Sequence, residues 1–134
     1  RQTFVGVWLR RLLESAPLEV WGGDQLRDLL DVEDCIDSLL LAATDDRAIG
    51  EIYNVGRSEA VSLAELASLL IKMHGRGTVV VRPFPAERRS IDIGSYHTDA
   101  TKIRAALGWR PRVDLRTTLS RCLSFYGEHR SHYV

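Results

Sequence analysis

The sequence has no excess of either charge and very little cysteine, and each shortage argues against a class of protein. Its 134 residues include 18 Lys plus Arg and 18 Asp plus Glu, so the formal net charge is zero. Nucleic-acid-binding modules normally carry a basic excess, so we expect no nucleic-acid partner. The two cysteines, Cys35 and Cys122, lack the CxxC spacing of metal and redox motifs. Because both fall on apolar faces of predicted helices, we expect buried free thiols and a cytoplasmic location.

Long apolar runs and catalytic signatures are also missing. No run approaches the roughly 18 apolar residues that a bilayer span needs, and no signal peptide opens the chain, so we expect no membrane partner. The GxGxxG, P-loop, GxSxG and HExxH motifs do not occur, and no Tyr stands four residues before a Lys. The residues alone therefore contain no recognisable catalytic machinery, and we expect no metal site and no cofactor bound to this chain.

What is present is the composition of one globular domain, 45% apolar and 27% charged. Residues 1–14 look like the middle of an amphipathic helix, with no leading Met and no cap before it. Phe4, Trp8 and Leu12 form its apolar stripe, at i, i+4 and i+8. This opening suggests a boundary inside a longer reading frame.

Strands alternate with helices along the rest of the chain, which predicts an α/β layered arrangement. Extended segments are expected at 18–22, 26–32, 52–55 and 78–81, the last of them buried, and helices are expected after the N-caps Asp31, Ser62, Asp99 and Asp114. Ser62 and Glu65 have the spacing of a capping box, and Gly75 should end that helix. The tail from residue 128 to 134 is polar and expected to fray. The longest stretch without a predicted element is 82–98, and long loops in compact domains are often functional.

Two arginine-containing segments are candidate anion sites. Arg27 lies among leucines in an extended segment. It forms a salt bridge with Asp28 or Asp31, lies on a solvated edge, or belongs to a phosphate site, because a guanidinium fork matches phosphate oxygens. Residues 87–92 of the long loop are either a solvated charged loop or the second half of a diphosphate clamp. In the second case Asp92 would accept hydrogen bonds from ribose hydroxyls.

Trp21 is a third candidate, because it stands at the end of a predicted strand, just before two glycines. A tryptophan in this position is either a core or packing residue or a flat surface on which a nucleobase stacks. Such stacking is worth roughly 1–3 kcal/mol. The residues alone thus indicate an anion-plus-base surface and leave its use open.

Three segments of the chain carry the motifs of one enzyme family, in the family's order. They are RDLLDVEDCIDSLLLAA (27–43), EIYNVGRSEAVSLAELASLL (51–70) and RRSIDIGSYHTDATKIRAALGWRPRVDL (88–115). They resemble the R-D-x-x-x-V-x-D, N-x-G-x-x-x-x-x-S-L-x-E-L and R-x-x-D…K-x-x-x-x-L-G-W-x-P segments of extended short-chain dehydrogenase/reductase enzymes. These are NAD-dependent nucleotide-sugar epimerases and dehydratases similar to UDP-glucose 4-epimerase. Each motif alone is weak, but together they cover nearly the whole chain.

The resemblance implies that residues 1–134 are the carboxy-terminal, substrate-binding portion of such an enzyme, a small mixed α/β domain that normally packs on a Rossmann fold. That fold would hold NAD(P) on a glycine-rich loop and supply a Tyr-x-x-x-Lys pair for the redox chemistry. Neither motif is in this chain, so the resemblance implies no catalytic residue here and an inactive chain by itself. The sugar, the base, NAD versus NADP, and epimerisation versus dehydration or decarboxylation stay open.

Binding roles are implied at four positions. Arg27 and Arg89 would contact the diphosphate of a UDP-, dTDP- or similar hexose, Asp92 the ribose hydroxyls, and Trp21 the nucleobase. Two alternatives remain: a stand-alone nucleotide-binding module, and a protein-interaction module. The second would use a surface that the Rossmann half normally covers, for example the stripe of residues 4, 8 and 12, and an uncovered apolar surface of this kind is expected to self-associate.

Overall fold

The computed structural model describes residues 3–133, which form six α-helices and four short strands. The helices are α1 Phe4–Leu13, α2 Val32–Thr44, α3 Leu63–His74, α4 Thr101–Leu107, α5 Leu115–Glu128 and α6 Arg130–Tyr133, and the strands are β1 Leu18–Trp21, β2 Leu26–Arg27, β3 Val61–Ser62 and β4 Val79–Arg82. Strand β1 pairs in parallel with β4, and β2 pairs antiparallel with β3. The mixed α/β class is confirmed.

The helix ends follow the local signals of the sequence. The side chains of Asp31, Ser62 and Asp114 accept backbone N–H groups at the starts of α2, α3 and α5. The capping box of Ser62 and Glu65 is complete, and Gly75 ends α3 in the left-handed conformation that glycine adopts without strain. These predictions are confirmed. The sequence could predict these ends because each of the hydrogen bonds joins residues no more than four positions apart.

Three other helix ends differ from expectation or refine it. Asp99 accepts the N–H of Thr101 at 2.9 Å, although α4 formally begins after Ala100. Helix α1 does have a cap, since the Thr3 hydroxyl accepts the N–H of Gly6 at 3.4 Å. The tail is helical over α6 rather than frayed, with the Tyr126 and Tyr133 rings 4.6 Å apart. Arg1, Gln2 and Val134 lie outside the described residues.

The main core is formed where α1, α3 and α5 pack around β1. Its buried members are Trp8, Leu9, Leu12, Leu18, Val20, Leu66, Ala67, Leu70 and Leu119. The apolar stripe of α1 is therefore interior, because Trp8 and Leu12 are almost fully buried within this one chain. Trp8 and Leu12 are therefore unavailable for pairing with another chain, which contradicts that idea for these two residues, whereas Phe4 is only partly buried.

A second, smaller core lies under α4 and is attached to α2 by a buried acid. Its buried members are Ala100, Ile103, Leu107 and Trp109. Asp34, which is 2% exposed, accepts the backbone N–H groups of Arg112 at 2.8 Å and Val113 at 3.1 Å. The Trp109 indole N–H donates to the Asp34 carbonyl at 3.2 Å. Asp34 thus fixes the segment after α4 to the first turn of α2.

Helix α2 buries the side that its sequence pattern predicts to be exposed, and exposes the apolar side. It buries Asp34 and Ser38, whereas its apolar side is open, with Leu39 64% exposed. The exposed stripe consists of Val32, Ile36, Leu39, Leu40 and Ala43, and we call it the α2 stripe. Cys35 and Cys122 are free thiols as predicted, but each is only half-buried, so the prediction that they are buried is wrong.

Two predicted strands are shorter than expected, a third is shifted by one residue, and a fourth does not form. Only Leu26–Arg27 of segment 26–32 is a strand, and β4 is half-exposed or exposed rather than buried. Segment 52–55 has no strand partner within residues 3–133. It nevertheless alternates as a strand would, with Ile52 83% exposed and Tyr53 and Val55 packed on the second core.

Candidate functional site

Arg27, at the end of β2, meets the long loop at Asp92. Arg27 Nη2 lies 3.7 Å from Asp92 Oδ1, and Nη1 donates to the carbonyls of Leu26, at 2.7 Å, and of Gly94. The Arg27 side chain is only 17% exposed, so this contact is partly shielded from water. The structure therefore brings Arg27 and Asp92 together, and the alternative in which Arg27 pairs with a neighbouring aspartate is wrong.

Asp28 serves the same site from the opposite side of the strand, as adjacent residues of an extended chain must. Its Oδ2 accepts the N–H of Thr98 at 3.0 Å, which fixes the end of the long loop. Gly56 allows this approach, since a Cβ there would lie 2.4 Å from Thr98 and 2.5 Å from Asp28. The N–H of Tyr96 also donates to the Leu26 carbonyl at 3.0 Å. No positioning role was predicted for Asp28 or Gly56, although both lie in the segments that resemble the family.

Trp21 stands at the end of β1, where the long loop crosses it. Its side chain is 36% exposed and makes an edge-to-face contact with Phe84, with ring centroids 6.4 Å apart. The Arg88 guanidinium carbon lies 4.8 Å from the Trp21 ring centroid, a cation–π geometry. Trp21 is therefore partly exposed, and the Arg88 guanidinium covers one face of its ring.

The two adjacent loop arginines do not share this position. Arg89 follows the short 3₁₀ turn Ala86–Arg88 and is exposed, and its side chain makes no hydrogen bond or ion pair with any residue between 3 and 133. Its role at a diphosphate stays a prediction. Arg88, which sequence reasoning missed, is the one that contacts Trp21. Nothing in the Glu-Arg-Arg run distinguishes the two, because the turn geometry decides which one faces inward.

Two adjoining clefts open beside Trp21. The larger, about 330 Å³, is lined by Phe4, Val7, Trp8, Arg11, Glu19, Trp21 and Arg88. The smaller, about 150 Å³, is lined by Phe4, Trp8, Glu19, Trp21, Gln25, Leu63, Phe84 and Asp92. Aromatic walls with a few charged groups at the rim are what a small polar ligand with a flat ring requires. A more voluminous concavity, about 900 Å³, lies away from these groups, between α2 and residues 107–112.

The acids whose pKa values are clearly lowered serve as helix caps and ion-pair partners. A hydrogen bond from Arg47 lowers the pKa of Asp45 to about 2, and hydrogen bonds from Thr117 lower that of Asp114. Burial raises the pKa of the Cys122 thiol, which disfavours the thiolate and hence nucleophilic reactivity. These shifts have structural causes rather than catalytic ones.

Neither metal nor membrane features emerge from the described part of the chain. Residues 3–133 contain no cluster of three or more His, Cys, Asp or Glu side chains suited to a metal ion. None of the helices described in this range combines the length and apolarity that crossing a bilayer requires.

Comparison with known proteins gives consistent matches over nearly the whole chain. The family model of GDP-mannose 4,6 dehydratase matches residues 9–122. A dTDP-glucose 4,6-dehydratase from Actinoplanes sp. is 31% identical over 134 residues, which covers 99% of this chain and 41% of the relative.

Two solved structures share the fold. An epimerase from Methanothermobacter thermautotrophicus matches with a TM-score of 0.89 at 24% identity, over 98% of this chain and 39% of that one. UDP-glucose 4-epimerase from Thermotoga maritima, solved with UDP-glucose, matches with a TM-score of 0.83 at 25% identity, over 96% of this chain and 40% of that one. The chain thus spans about two fifths of the length of these proteins.

Proposed function

Because the chain belongs to the NAD-dependent nucleotide-sugar epimerase/dehydratase family, we propose that it is the carboxy-terminal, nucleotide-sugar-binding portion of such an enzyme. It holds the nucleoside diphosphate of an NDP-hexose so that the sugar reaches catalytic groups on the rest of the protein. The observation that carries this proposal is the meeting of Arg27 with Asp92, which lines the same cleft as the partly exposed Trp21.

Each of the four residues has a role that matches its surroundings. Arg27 exchanges its long contact with Asp92 for phosphate oxygens, which a guanidinium binds through two parallel hydrogen bonds. The freed Asp92 carboxylate then accepts hydrogen bonds from the ribose hydroxyls. Trp21 stacks on the base, and Arg89 turns in from the exposed loop to the second phosphate. The binding energy of these remote groups positions the sugar for reaction.

The redox cofactor belongs to the part of the enzyme outside this chain. NAD(P) would there accept and return the hydride of the sugar carbon. A dinucleotide site needs a glycine-rich turn that leads from a strand into a helix, and the sequence of this chain has no GxGxxG motif. We therefore assign no residue of this chain to the cofactor and no catalytic step to any of its side chains.

The test is calorimetric titration of the chain with UDP, dTDP, GDP and ADP. At least one should bind, and Arg27→Ala should weaken it by about 10- to 100-fold, because hydrogen bonds to charged groups contribute about 1.5–3 kcal/mol. Arg47→Ala is the matched control, since it removes an exposed arginine whose ion pair is with Asp45, away from both clefts. The same preparation, given NAD and a nucleotide hexose, should show no turnover. Absence of nucleotide binding, equal effects of the two variants, or turnover by this chain would contradict the proposal.

A protein-interaction role is the second candidate, and the α2 stripe favours it. Its five apolar side chains lie on one face of the helix and border the concavity of about 900 Å³ through Leu40. Contiguous apolar patches of more than a few hundred Å² are uncommon on monomers and often mark an interface. In the intact enzyme the rest of the protein would cover the stripe. Alone, the chain is expected to self-associate through it.

A further inference from the structure

Strand β1 presents one acidic side chain on the same face as Trp21. Leu18 and Val20 point into the main core, and Glu19 and Trp21 alternate with them on the outer face. Glu19 and Trp21 both line the larger and the smaller cleft. A ring that stacks on Trp21 therefore has a carboxylate within the same cleft.

Glu19 forms an ion pair with Arg11, and hydrogen bonds to backbone carbonyls fix the position of Arg11 and of the strand that carries Glu19. Arg11 Nη2 lies 3.5 Å from Glu19 Oε2, and Arg11 Nη1 donates to the Pro17 carbonyl at 3.0 Å. The Trp8 indole N–H donates to the Glu19 carbonyl at 3.1 Å, which fixes β1 against α1. The Glu19 and Arg11 side chains are 39% and 31% exposed. The Arg11 guanidinium and the Glu19 carboxylate are thus paired side by side, and both side chains remain partly exposed.

The order of groups along the site indicates which part of a nucleotide meets this pair. Arg27 and Asp92 form an ion pair, and Asp92 also lines the smaller cleft together with Trp21 and Glu19. Arg11 lines the larger cleft, together with Glu19, Trp21 and Arg88. A nucleotide with its phosphates at Arg27 and its ribose at Asp92 has its base on Trp21. The edge of that base then faces Glu19 and Arg11.

The hydrogen-bonding pattern of this pair matches one base. Guanine presents two adjacent donors, N1–H and the N2 amino group, beside the O6 acceptor, so a carboxylate accepts both donors and a guanidinium donates to O6. Uracil and thymine present a single N–H between two carbonyl oxygens. Adenine and cytosine present a ring-nitrogen acceptor beside their amino group. In each of these four bases an acceptor would face the carboxylate, an unfavourable contact that selects against them.

We propose that Glu19 and Arg11 read the edge of the nucleobase and select guanine, so that the substrate of this site is a GDP-hexose. This inference rests on the proposed function and adds the identity of the base. The family model carries GDP in its name, whereas the relative and the structure compared above carry dTDP and UDP, so membership of the family does not determine the base.

The test compares the dissociation constants of GDP, IDP, UDP, dTDP and ADP for the chain. GDP should bind at least about 10-fold more tightly than UDP, dTDP and ADP. IDP lacks only the N2 amino group, so it should bind more weakly than GDP. Glu19→Gln should weaken GDP about 10-fold, leave UDP within about 3-fold, and remove the difference between GDP and IDP. Glu14→Gln, which changes an exposed acid outside both clefts, should change none of these values.

The outcomes separate this inference from the proposed function. If UDP or dTDP binds as tightly as GDP, or if Glu19→Gln keeps the preference of the wild type, the assignment of Glu19 is wrong and the nucleotide site stands. If no nucleotide binds, both proposals fail. The comparison of GDP with IDP on the wild-type chain needs no variant, so a folding defect in Glu19→Gln would not protect the inference.

Discussion

Replacement of Asp34 tests how much its buried hydrogen bonds contribute to the stability of the fold. Its buried carboxylate accepts two backbone N–H groups, from Arg112 and Val113, and lies in the first turn of α2, where the helix dipole favours negative charge. Replacing it with Ala leaves both donors without their partner, at about 1–3 kcal/mol each. It also removes a desolvation penalty that the wild type already carries. We therefore expect Asp34→Ala to lower the free energy of unfolding by about 2–4 kcal/mol.

Urea unfolding followed by circular dichroism measures this loss. Asp34→Asn keeps one acceptor and should fall between the wild type and Asp34→Ala. Asp37→Ala is the matched control, because Asp37 lies one turn further along α2, is half-exposed, and contacts Arg112 only at 3.9 Å. Such an exposed pair is worth less than about 1 kcal/mol. A loss below about 1 kcal/mol for Asp34→Ala, or equal losses for the two alanine variants, would refute the reasoning.

Two further predictions concern the acid stability of the chain and its open surface. Burial tends to raise the pKa of Asp31, but hydrogen bonds from the Thr118 hydroxyl and the Glu33 N–H outweigh it, so the pKa lies below its ordinary value of 3.8. The stability that the ionised Asp31 carboxylate contributes is present above its ordinary pKa of 3.8 and is lost as the pH falls through the lowered pKa. Between about pH 5 and about pH 2, the free energy of unfolding should therefore fall less for Asp31→Asn than for the wild type. If the α2 stripe drives self-association, sedimentation velocity should show a concentration-dependent oligomer that Leu39→Lys abolishes and that Ile91→Lys, a change at an exposed loop position, leaves intact. An oligomer unaffected by Leu39→Lys would exclude the stripe.

The sequence predicted best where a few neighbouring residues decide the outcome. The Ser62 capping box, the Asp31 and Asp114 caps and the Gly75 stop are local arrangements of hydrogen bonds, and each forms as expected. It could not predict that Arg88 rather than Arg89 meets Trp21, because that choice depends on how a 3₁₀ turn approaches a distant strand.

The prediction that Arg27 and Asp92 belong to one site depended on the resemblance to the family. From composition and spacing alone, Arg27 could as well have formed an ion pair with its neighbours Asp28 and Asp31 as a phosphate site. In the structure each neighbour has another partner, since Asp28 accepts the N–H of Thr98 and Asp31 accepts the hydroxyl of Thr118. Only the three-dimensional arrangement of the long loop excludes these two partners.

The two clearest mismatches between sequence and structure have a common cause. Segment 52–55 has the alternation of a strand without a ladder, and α2 has an apolar stripe that its own chain does not cover. Within residues 3–133, no strand pairs with segment 52–55 and no element covers the α2 stripe, so both surfaces remain open to contact with other protein. The Arg27–Asp92 contact, in contrast, is complete within the chain. The proposed nucleotide site thus rests on contacts that this chain makes within itself, which is why titration of the chain alone can test it.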